Sequence, residues 1–547
     1  MKLTNQQLKE ILTQENYVSL KEIESLKNLK EYSLADSLIS ADILSSDILG
    51  QALAEWYKVP YADFNSTPPE REQVLKISET IAKKYNAVVF FEKNDSVSVA
   101  TDDPEQEQLV TELSKIFPTK KIKLHFAVTS DINDAFIHYR KALDTRFSTI
   151  IEKNKDKFAP EIIEAIIDDA ATYRASDIHF EVQGKEVLIR FRVDGILQEA
   201  GRIAFDYYQN ILNRIKIQAQ LRIDEHSSPQ DGAIRFLLSD GRAVDLRVSV
   251  VPTLDGEKIV MRVLSEYIKN FSTSDLGLEA EDELLLDKVI KKPFGMILAV
   301  GPTGSGKTTT LYTLVKKLNR PEINITTIED PAEYRVSGIN QIQVNNQTGL
   351  TFGKGLRSIV RQDPNVILVG EIRDSETVEI SVNAALTGHL VLSTFHANDA
   401  ATAIPRLIEM GAEPFLLSST LEIIIAQRLV RKICESCRYS ESIGRDYWIK
   451  NFPTASEVVP KDLNTVYHGK GCSSCNHTGY KGRIGIFEII SLTPELRDLI
   501  LQNPPAQEIW KKAKEQGARS LFASGIQKIK NGLTTAEEVF RVAPPRT

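Results

Sequence analysis

The residues best suited to chemistry lie in the segment GPTGSGKTTT. It fits the pattern G-x-x-x-x-G-K-S/T, follows the apolar run MILAV and precedes a helical segment. Glycines there allow a backbone that turns successive N–H groups toward one phosphate, and the N-terminus of the next helix adds its positive end. The segment therefore predicts a nucleoside triphosphate site, in which Lys307 reaches the β and γ phosphates and the Thr308 hydroxyl binds Mg²⁺. The predicted nucleotide-binding residues are Gly301, Pro302, Thr303, Gly304, Ser305, Gly306, Lys307, Thr308 and Thr309.

Acidic side chains follow two strand-like apolar runs. NVILVGEIRD carries Glu371 where P-loop enzymes hold Mg²⁺ and the attacking water, and we expect Glu371 to contact the metal through water. ITTIEDPAEY carries Glu329, Asp330 and Glu333 around Pro331, which disfavours helix at Asp330 and predicts a turn. A solvated acidic loop is the alternative, and these residues alone do not select one carboxylate.

LTGHLVLSTFHAND places His396 at the end of a predicted strand. A histidine in that position is more often a polar cap than a catalyst. However, the strand belongs to a predicted parallel sheet, and open α/β folds bind ligands at the carboxyl edge of such sheets. His396 is therefore a candidate for the same site as the P-loop.

All four cysteines fall in two C-x-x-C pairs, Cys434 with Cys437 and Cys472 with Cys475. Two such pairs predict a tetrahedral zinc site, which is structural because four thiolates leave no open position. A redox role needs a thioredoxin-like context, which is missing. The 34 residues between Cys437 and Cys472 exceed the usual spacing of about 15–20, so we expect a small subdomain between the pairs.

Two kinds of pattern organise the chain around these residues. Short apolar runs (GMILAV, NITTI, NVILVG, HLVLSTF) alternate with helical segments, which predicts a parallel sheet covered on both faces. Upstream, VLIRFRVDG, VDLRVSVVP and KIVMRVL alternate strictly, with Arg190, Arg192, Arg247 and Arg262 on their polar faces. A merely solvated sheet explains that second pattern equally well.

Composition limits the function classes. The 547 residues predict three or four domains, and a formal net charge of −7 argues against a surface built for nucleic acid. The sequence contains no run of about 18 apolar residues and no secretory signal pattern at its start. We therefore expect a cytoplasmic protein whose membrane contact is peripheral or through a partner.

Taken together, the motifs resemble the assembly ATPases of type II secretion and type IV pilus systems. The resemblance runs from ASDIHFE to the C-terminal region and includes RVDGIL, PQDG, TIEDPAEY, LTGHLVLSTFHAND and the cysteine pairs. It implies an α/β fold with a RecA-like P-loop ATPase core, a PAS-like α+β second domain, a mainly helical N-terminal module and a small zinc-binding subdomain. The expected boundaries are 1–147, 155–268 and 275–547, with the zinc subdomain at about 430–485.

The resemblance also implies roles for single residues. Arg247 and Arg262 correspond to arginine fingers that reach the nucleotide of a neighbouring subunit, and Glu333 corresponds to the general base, with Glu329 as the alternative. Whether Arg190 or Arg192 contacts nucleotide stays open. The catalytic set is Lys307, Glu333, Glu371, His396, Arg247 and Arg262, and the cofactors are ATP, Mg²⁺ and Zn²⁺.

The implied partners are those of a motor protein. We expect a homohexamer at the cytoplasmic face of the inner membrane, acting on a pilus or secretion pseudopilus through an inner-membrane platform protein. YSLADSLISA lacks the arginine-leucine-glycine start of the cyclic di-GMP-binding modules, so we do not expect that ligand. The alternatives are a nucleic-acid-translocating motor and a pilus retraction ATPase. The four cysteines and the long N-terminal region favour assembly.

Overall fold

The computed structural model describes most of the chain. Its described residues are 5–14, 17–18, 23, 34–40, 43–44, 46–64, 69–139, 147, 149–151, 158–239, 241–264, 273–345, 348–453, 458–472, 475–476 and 478–546. The expected linkers, and with them the proposed boundaries at 155 and 268, fall largely outside these residues. The chain divides into two compact units, 1–270 with 434–437 and 471–478, and 271–433 with 438–470 and 479–547.

The N-terminal part of the first unit combines helices with a small sheet. Strands β1 (Ala87–Glu92) and β2 (Ser96–Thr101) are antiparallel, and β3 (Lys121–Phe126) runs parallel to β2. Apolar side chains such as Leu53 and Val89 are fully buried between them and the helices. The helices are Asn5–Gln14, Leu34–Ser40, Ser46–Trp56, Arg71–Val74, Glu79–Tyr85, Glu107–Ile116 and Thr129–Ala135.

The second part of the first unit is an antiparallel sheet packed against two helices, Phe158–Thr172 and Phe205–Gln218. The strand order is β6-β5-β4-β9-β8-β7. The predicted alternation is confirmed: Val187, Ile189 and Phe191 are buried beneath the helices, although Val193 is only partly buried. The strands are β4 (Asp177–Gln183), β5 (Glu186–Val193), β6 (Ile196–Ala204), β7 (Gln230–Leu237), β8 (Ala243–Thr253) and β9 (Gly256–Leu264).

A seven-stranded sheet of order β12-β11-β13-β14-β10-β15-β18 forms the centre of the second unit. The pairs from β12 to β15 are parallel, as the alternation of strands and helices predicts, and β18 joins β15 antiparallel. The strands are β10 (Gly295–Val300), β11 (Ile325–Glu329), β12 (Asn340–Gln343), β13 (Val366–Val369), β14 (Leu390–Phe395), β15 (Leu421–Ile433) and β18 (Tyr480–Ser491).

Helices cover both faces of this sheet. Leu298 and Ile424 are fully buried on one face, and Ile297 and Ile425 are fully buried on the other. The parallel strands therefore expose their carboxyl ends along one edge, which is where ligands bind in open α/β sheets. The helices are Ala280–Val289, Lys307–Leu318, Phe352–Ile359, Ser375–Leu386, Ala400–Glu409, Pro414–Thr420, Pro494–Ile500, Ala506–Glu515, Leu521–Lys530 and Ala536–Val542.

A small antiparallel pair lies between the two cysteine motifs in the chain. It consists of β16 (Arg438–Ser442) and β17 (Thr465–Gly469), and the helix Arg445–Asn451 follows β16. Gly469, at the end of β17, and Gly479, just before β18, lie on either side of the second cysteine pair in the chain, and their backbones are in close contact. A Cβ on Gly469 would overlap the carbonyl group of Gly479.

This close approach makes Gly469→Ala a sharp test of the fold. We expect the variant to lose about 1–3 kcal/mol of stability, because backbone atoms cannot move aside as a flexible side chain can. Thermal unfolding and zinc content per chain are the measurements. The matched control is Gly444→Ala, where a Cβ meets no other atom within 4 Å. Equal melting temperatures for the two variants would show that the close approach of Gly469 and Gly479 tolerates a side chain.

Candidate functional site

The P-loop lies between the end of β10 and the helix Lys307–Leu318, as its sequence predicts. Gly301, Gly304 and Gly306 have φ values of 151°, 77° and 88°, which suit glycine alone. The loop also packs tightly on β15. A Cβ on Gly301 would lie 2.7 Å from the backbone oxygen of Gln427, and a Cβ on Gly306 would lie 2.8 Å from its amide nitrogen Nε2. The glycines thus serve both the turn and the packing.

Lys307 is folded back onto its own loop. Its Nζ donates to the carbonyl oxygens of Gly301, at 2.8 Å, and Pro302, at 3.1 Å. Burial lowers the pKa of Lys307 to about 8; the nearby charge of Glu371 opposes this shift and that of Arg428 adds to it. A phosphate group can replace the two carbonyls as the partner of this ammonium and raise its pKa again by stabilising the charged form.

Two further observations at the loop fit a phosphate ligand. Ser305 Oγ is buried, and among the described residues it has no hydrogen-bond partner. Thr308 and Thr309 lie half-buried in the first turn of the P-loop helix, where N–H groups at the helix start favour an anion. The predicted nucleotide-binding residues therefore form one continuous cradle.

Glu371 and His396 stand beside the P-loop lysine at the same edge. His396 Nε2 lies 3.6 Å from Glu371 Oε2, and Arg373 Nη2 lies 2.6 Å from Glu371 Oε1. Burial, followed by the charge of Lys307, lowers the pKa of His396, although Glu371 acts in the opposite sense. The imidazole is therefore mainly neutral near pH 7, and the structure joins Lys307, Glu371 and His396 in one cluster.

Hydrogen bonds between the ends of β13 and β14, and the close approach of β11 to β13, position this cluster. The hydroxyl of Thr394 donates to the carbonyl of Gly370 at 2.7 Å, and the N–H of Ile372 donates to the carbonyl of Thr394 at 3.0 Å. A Cβ on Gly370 would lie 3.2 Å from the Cα of Glu329. The glycine before Glu371 thus lets β13 run close beside β11, the strand that carries the other acidic segment.

Glu329 is buried and used within the fold. Its carboxylate accepts hydrogen bonds from the hydroxyls of Tyr312 and Thr327, the latter at 2.6 Å, and from the amide of Gln341 at 3.4 Å. Burial, followed by the Glu329 charge, raises the pKa of Tyr312. Glu329 is therefore the anchor of the P-loop helix to β11.

Glu333 follows the predicted turn, in which the Asp330–Pro331 peptide is cis. Its side chain is half-buried, and its backbone hydrogen-bonds the hydroxyl of Tyr312. The same hydroxyl thus ties down both Glu329 and the loop that carries Glu333.

Sequence reasoning missed Arg428 and Gln427 at the end of the parallel part of β15. Arg428 donates to the carbonyls of Asn398, at 2.7 Å, and Gln427, at 3.1 Å. Gln427 accepts from the Thr310 hydroxyl of the P-loop helix at 2.7 Å. The signal was present as a polar pair inside the apolar run IIIAQRLV, at the level where β10 ends.

The predicted arginine fingers belong to the first unit. Arg247 on β8 lies directly opposite Arg262 on β9. Arg262 Nε contacts Asp177 Oδ1 at 3.3 Å, and its side chain is 55% exposed. Arg190 donates instead to both oxygens of Glu181, at 2.8 and 2.6 Å.

The four cysteines form one cluster whose sulfur atoms all lie within 4.8 Å of one another. Cys434 and Cys472 are 3.8 Å apart, Cys437 and Cys475 3.9 Å, and Cys472 and Cys475 3.7 Å. A tetrahedron with zinc–sulfur bonds of about 2.3 Å has edges of about 3.8 Å, so the residues fit zinc. Burial first, and then the neighbouring thiols, raise the pKa of Cys434 to about 11, so a metal ion has to displace protons there.

The pKa of Lys307 gives a test of the nucleotide site. Since phosphate favours the charged lysine, we expect Lys307 to gain a proton when ATP binds. The uptake should be about 0.9 proton per site at pH 9 and about 0.1 at pH 7. Calorimetry with a non-hydrolysable ATP analogue, in buffers of different ionisation enthalpy, measures the uptake. Lys307→Arg is the control, because arginine stays protonated. Equal uptake by both proteins at pH 9 would contradict the assignment.

Comparisons with known proteins agree with this geometry. A family model described as "Type II/IV secretion system protein" matches residues 152–541, and one described as "MshEN domain" matches residues 57–146. In solved structures, the ATPase DotB of Legionella pneumophila superposes with a TM-score of 0.52 at 20% identity, covering 70% of this chain and 95% of that one. This likeness concerns the fold. None of the helices in the described residues is long and apolar enough to cross a bilayer.

Curated relatives match along nearly the whole chain. The type IV pilus assembly ATPase PilB of Myxococcus xanthus is 35% identical over 98% of this chain and 99% of its own length. PilB of Pseudomonas aeruginosa is 37% identical over 93% of each chain. The type II secretion system protein E of P. aeruginosa is 44% identical over 72% of this chain and 77% of its own.

These findings confirm the predicted resemblance and fold class. The chain is a mixed α/β protein with a RecA-like core, an N-terminal MshEN domain and a cysteine cluster able to hold zinc. It belongs to the type II/IV secretion system protein family.

Proposed function

We propose that this protein is an Mg²⁺-dependent ATP hydrolase that works as a homohexameric motor. One observation carries the proposal: Lys307, Glu371 and His396 converge beside a phosphate-binding loop at the carboxyl edge of a parallel sheet. In such a site the protein contributes positioning and charge, which is what phosphoryl transfer requires.

The motor drives assembly of a type IV pilus or a type II secretion pseudopilus. Support comes from the pilus assembly ATPases that match this chain over more than nine tenths of its length. Residues 1–147 dock on an inner-membrane platform protein, 155–268 carry the arginine fingers and 275–547 hydrolyse ATP. The protein thereby works at the cytoplasmic face of the membrane, held there by its partners.

The residues at the P-loop divide the work of the reaction. The loop N–H groups and Lys307 bind the β and γ phosphates, and the Thr308 hydroxyl binds Mg²⁺. Glu371 would hold Mg²⁺ through water, and the neutral imidazole of His396 fixes the orientation of Glu371. Mg²⁺ supplies charge neutralisation between the β and γ phosphates when it is bound.

Glu333 is the general base that orients and deprotonates the attacking water. Three donors already occupy the carboxylate of Glu329, which is only 3% exposed. Glu333 follows the turn instead and is half-buried.

Arg247 and Arg262 act on the nucleotide of the neighbouring subunit. Charge that develops on the γ-phosphoryl group needs a cation, and an arginine supplied in trans makes hydrolysis depend on ring closure. Zn²⁺ on the four cysteines has a structural role, because no coordination position is left for substrate.

The trans assignment gives a complementation test. We expect Lys307→Ala and Arg247→Ala to be inactive alone. Lys307→Ala cannot bind the phosphates, and Arg247→Ala cannot supply an arginine to the nucleotide of the neighbouring subunit. Mixed rings should recover part of the steady-state ATPase activity, because some intact P-loops then face intact fingers. Normal turnover by Lys307→Ala would overturn the ATPase assignment, whereas zero activity at every mixing ratio would overturn the trans role alone.

The choice of base gives a second test. We expect Glu333→Gln to lower turnover by about 10²–10⁴-fold while ATP still binds, since the amide cannot take a proton. In Glu329→Gln the amide oxygen still accepts from Tyr312 and Thr327, so we expect most of the turnover to remain and the melting temperature to fall. Single-turnover hydrolysis and ATP binding measure both. The reverse ranking of the two variants would assign the base to Glu329.

A further inference from the structure

Charged side chains on four neighbouring strands of the first unit lie at one level of the sheet. Asp177 on β4 is opposite Arg192 on β5 and Arg262 on β9, and Arg262 is opposite Arg247 on β8. These partners share one face, because directly opposed residues of an antiparallel pair point the same way. The row therefore contains three guanidinium groups and a single carboxylate, and like charges stand opposite each other at Arg247 and Arg262. Like charges directly opposite each other on neighbouring strands are unfavourable.

The carboxylate of Asp177 is shared among three donors. Its Oδ1 lies 3.3 Å from Arg262 Nε, its Oδ2 lies 3.4 Å from Arg192 Nε, and the Ser176 hydroxyl donates to Oδ2 at 2.9 Å. Asp177 is only 8% exposed, whereas the side chains of Arg262 and Arg192 are 55% and 35% exposed. Because Arg192 and Ser176 take part of its charge, Asp177 holds Arg262 without cancelling the positive charge of that guanidinium.

The contact with Arg262 uses the nitrogen nearest to the side-chain stem. Nε is fixed by Asp177, while the two Nη atoms lie farther out and take no part in that hydrogen bond. The side chain is 55% exposed. Arg262 is thus tethered at its base and presents its terminal nitrogens outward, in the fork geometry that suits phosphate.

Arg190 shows the opposite arrangement on the same face. Its terminal Nη2 is bonded to both oxygens of Glu181, and Lys258 lies 2.8 Å from the same carboxylate. Although burial acts to raise it, the hydrogen bonds from Arg190 and Lys258 lower the pKa of Glu181 to about 2. The terminal Nη2 of Arg190 is thus occupied by a carboxylate of its own subunit, which favours a structural role for this residue.

We infer that Asp177 is a positioning residue that holds Arg262 ready for the phosphoryl group of a neighbouring subunit's nucleotide. The inference rests on the proposed trans role of Arg262. A free arginine side chain loses rotamer freedom when it binds phosphate, and a tether at Nε removes much of that loss before the nucleotide arrives. Asp177 therefore acts on kcat rather than on the affinity of the P-loop for ATP.

The test compares Asp177→Asn with Glu181→Gln in the full-length protein. Glu181 is the matched control, since it lies on the same strand and face and also pairs with two partly exposed cations, Arg190 and Lys258. We expect Asp177→Asn to lower kcat at least tenfold with KM for ATP within twofold. Glu181→Gln should keep kcat within twofold, even if its melting temperature falls. Equal kcat losses in the two variants would overturn the inference, because both would then reflect sheet stability.

Two further measurements separate this inference from the proposed function. Wild-type kcat in Arg262→Ala would overturn the finger itself, whereas a low kcat in Arg262→Ala beside a wild-type kcat in Asp177→Asn would overturn only the positioning role. The double variant Asp177→Asn/Arg262→Ala should be no slower than Arg262→Ala alone.

If Asp177→Asn does not fold, Asp177→Glu is used for the test instead. It keeps the charge but displaces Arg262, so we expect a loss of at least threefold in kcat, and wild-type kcat would overturn the inference.

Discussion

The packing of the P-loop against β15 is the constraint on which the rest of the site depends. Without side chains at Gly301 and Gly306, the loop approaches the backbone and side chain of Gln427 at distances that no other residue would permit. This approach buries Lys307 and depresses its pKa. It also sets the start of the helix that carries Thr308, Thr310 and Tyr312. The position of the helix then fixes β11 through Glu329, and β13 lies beside β11.

Charged side chains in the two units differ in how many hydrogen-bond partners they already contact within the fold. Glu181 and Glu329 each accept from two or more donors within the fold. Lys307 donates only to backbone carbonyls among the described contacts, and Arg262 is held by its inner nitrogen alone. A charge that is held but not neutralised is suited to receive a ligand.

Local patterns predicted much of this molecule. The P-loop spacing, the alternation in β5, β8 and β9 and the two cysteine pairs are signals within a few residues, and each corresponds to a local structure. The burial of Glu329 and the contacts of Arg428 depend on residues far away in sequence, such as Tyr312, Gln341 and Asn398. The alternation of the strands predicted that all four arginines, Arg190, Arg192, Arg247 and Arg262, lie on polar faces, and it did not distinguish among them. Only the register of β4, β5 and β9 distinguishes the saturated Arg190 from the tethered Arg262.

The hydroxyl of Tyr312 has a mechanical consequence. It joins the P-loop helix to the end of β11 by a buried hydrogen bond and also contacts the backbone of Glu333. Lys307 and Tyr312 are five residues apart on one helix, which corresponds to about 7.5 Å along its axis. The helix therefore sets the distance between Lys307 and the loop that carries Glu333. A displacement of the first turn along the helix axis would therefore also move the Tyr312 hydroxyl, which contacts both Glu329 and the backbone of Glu333.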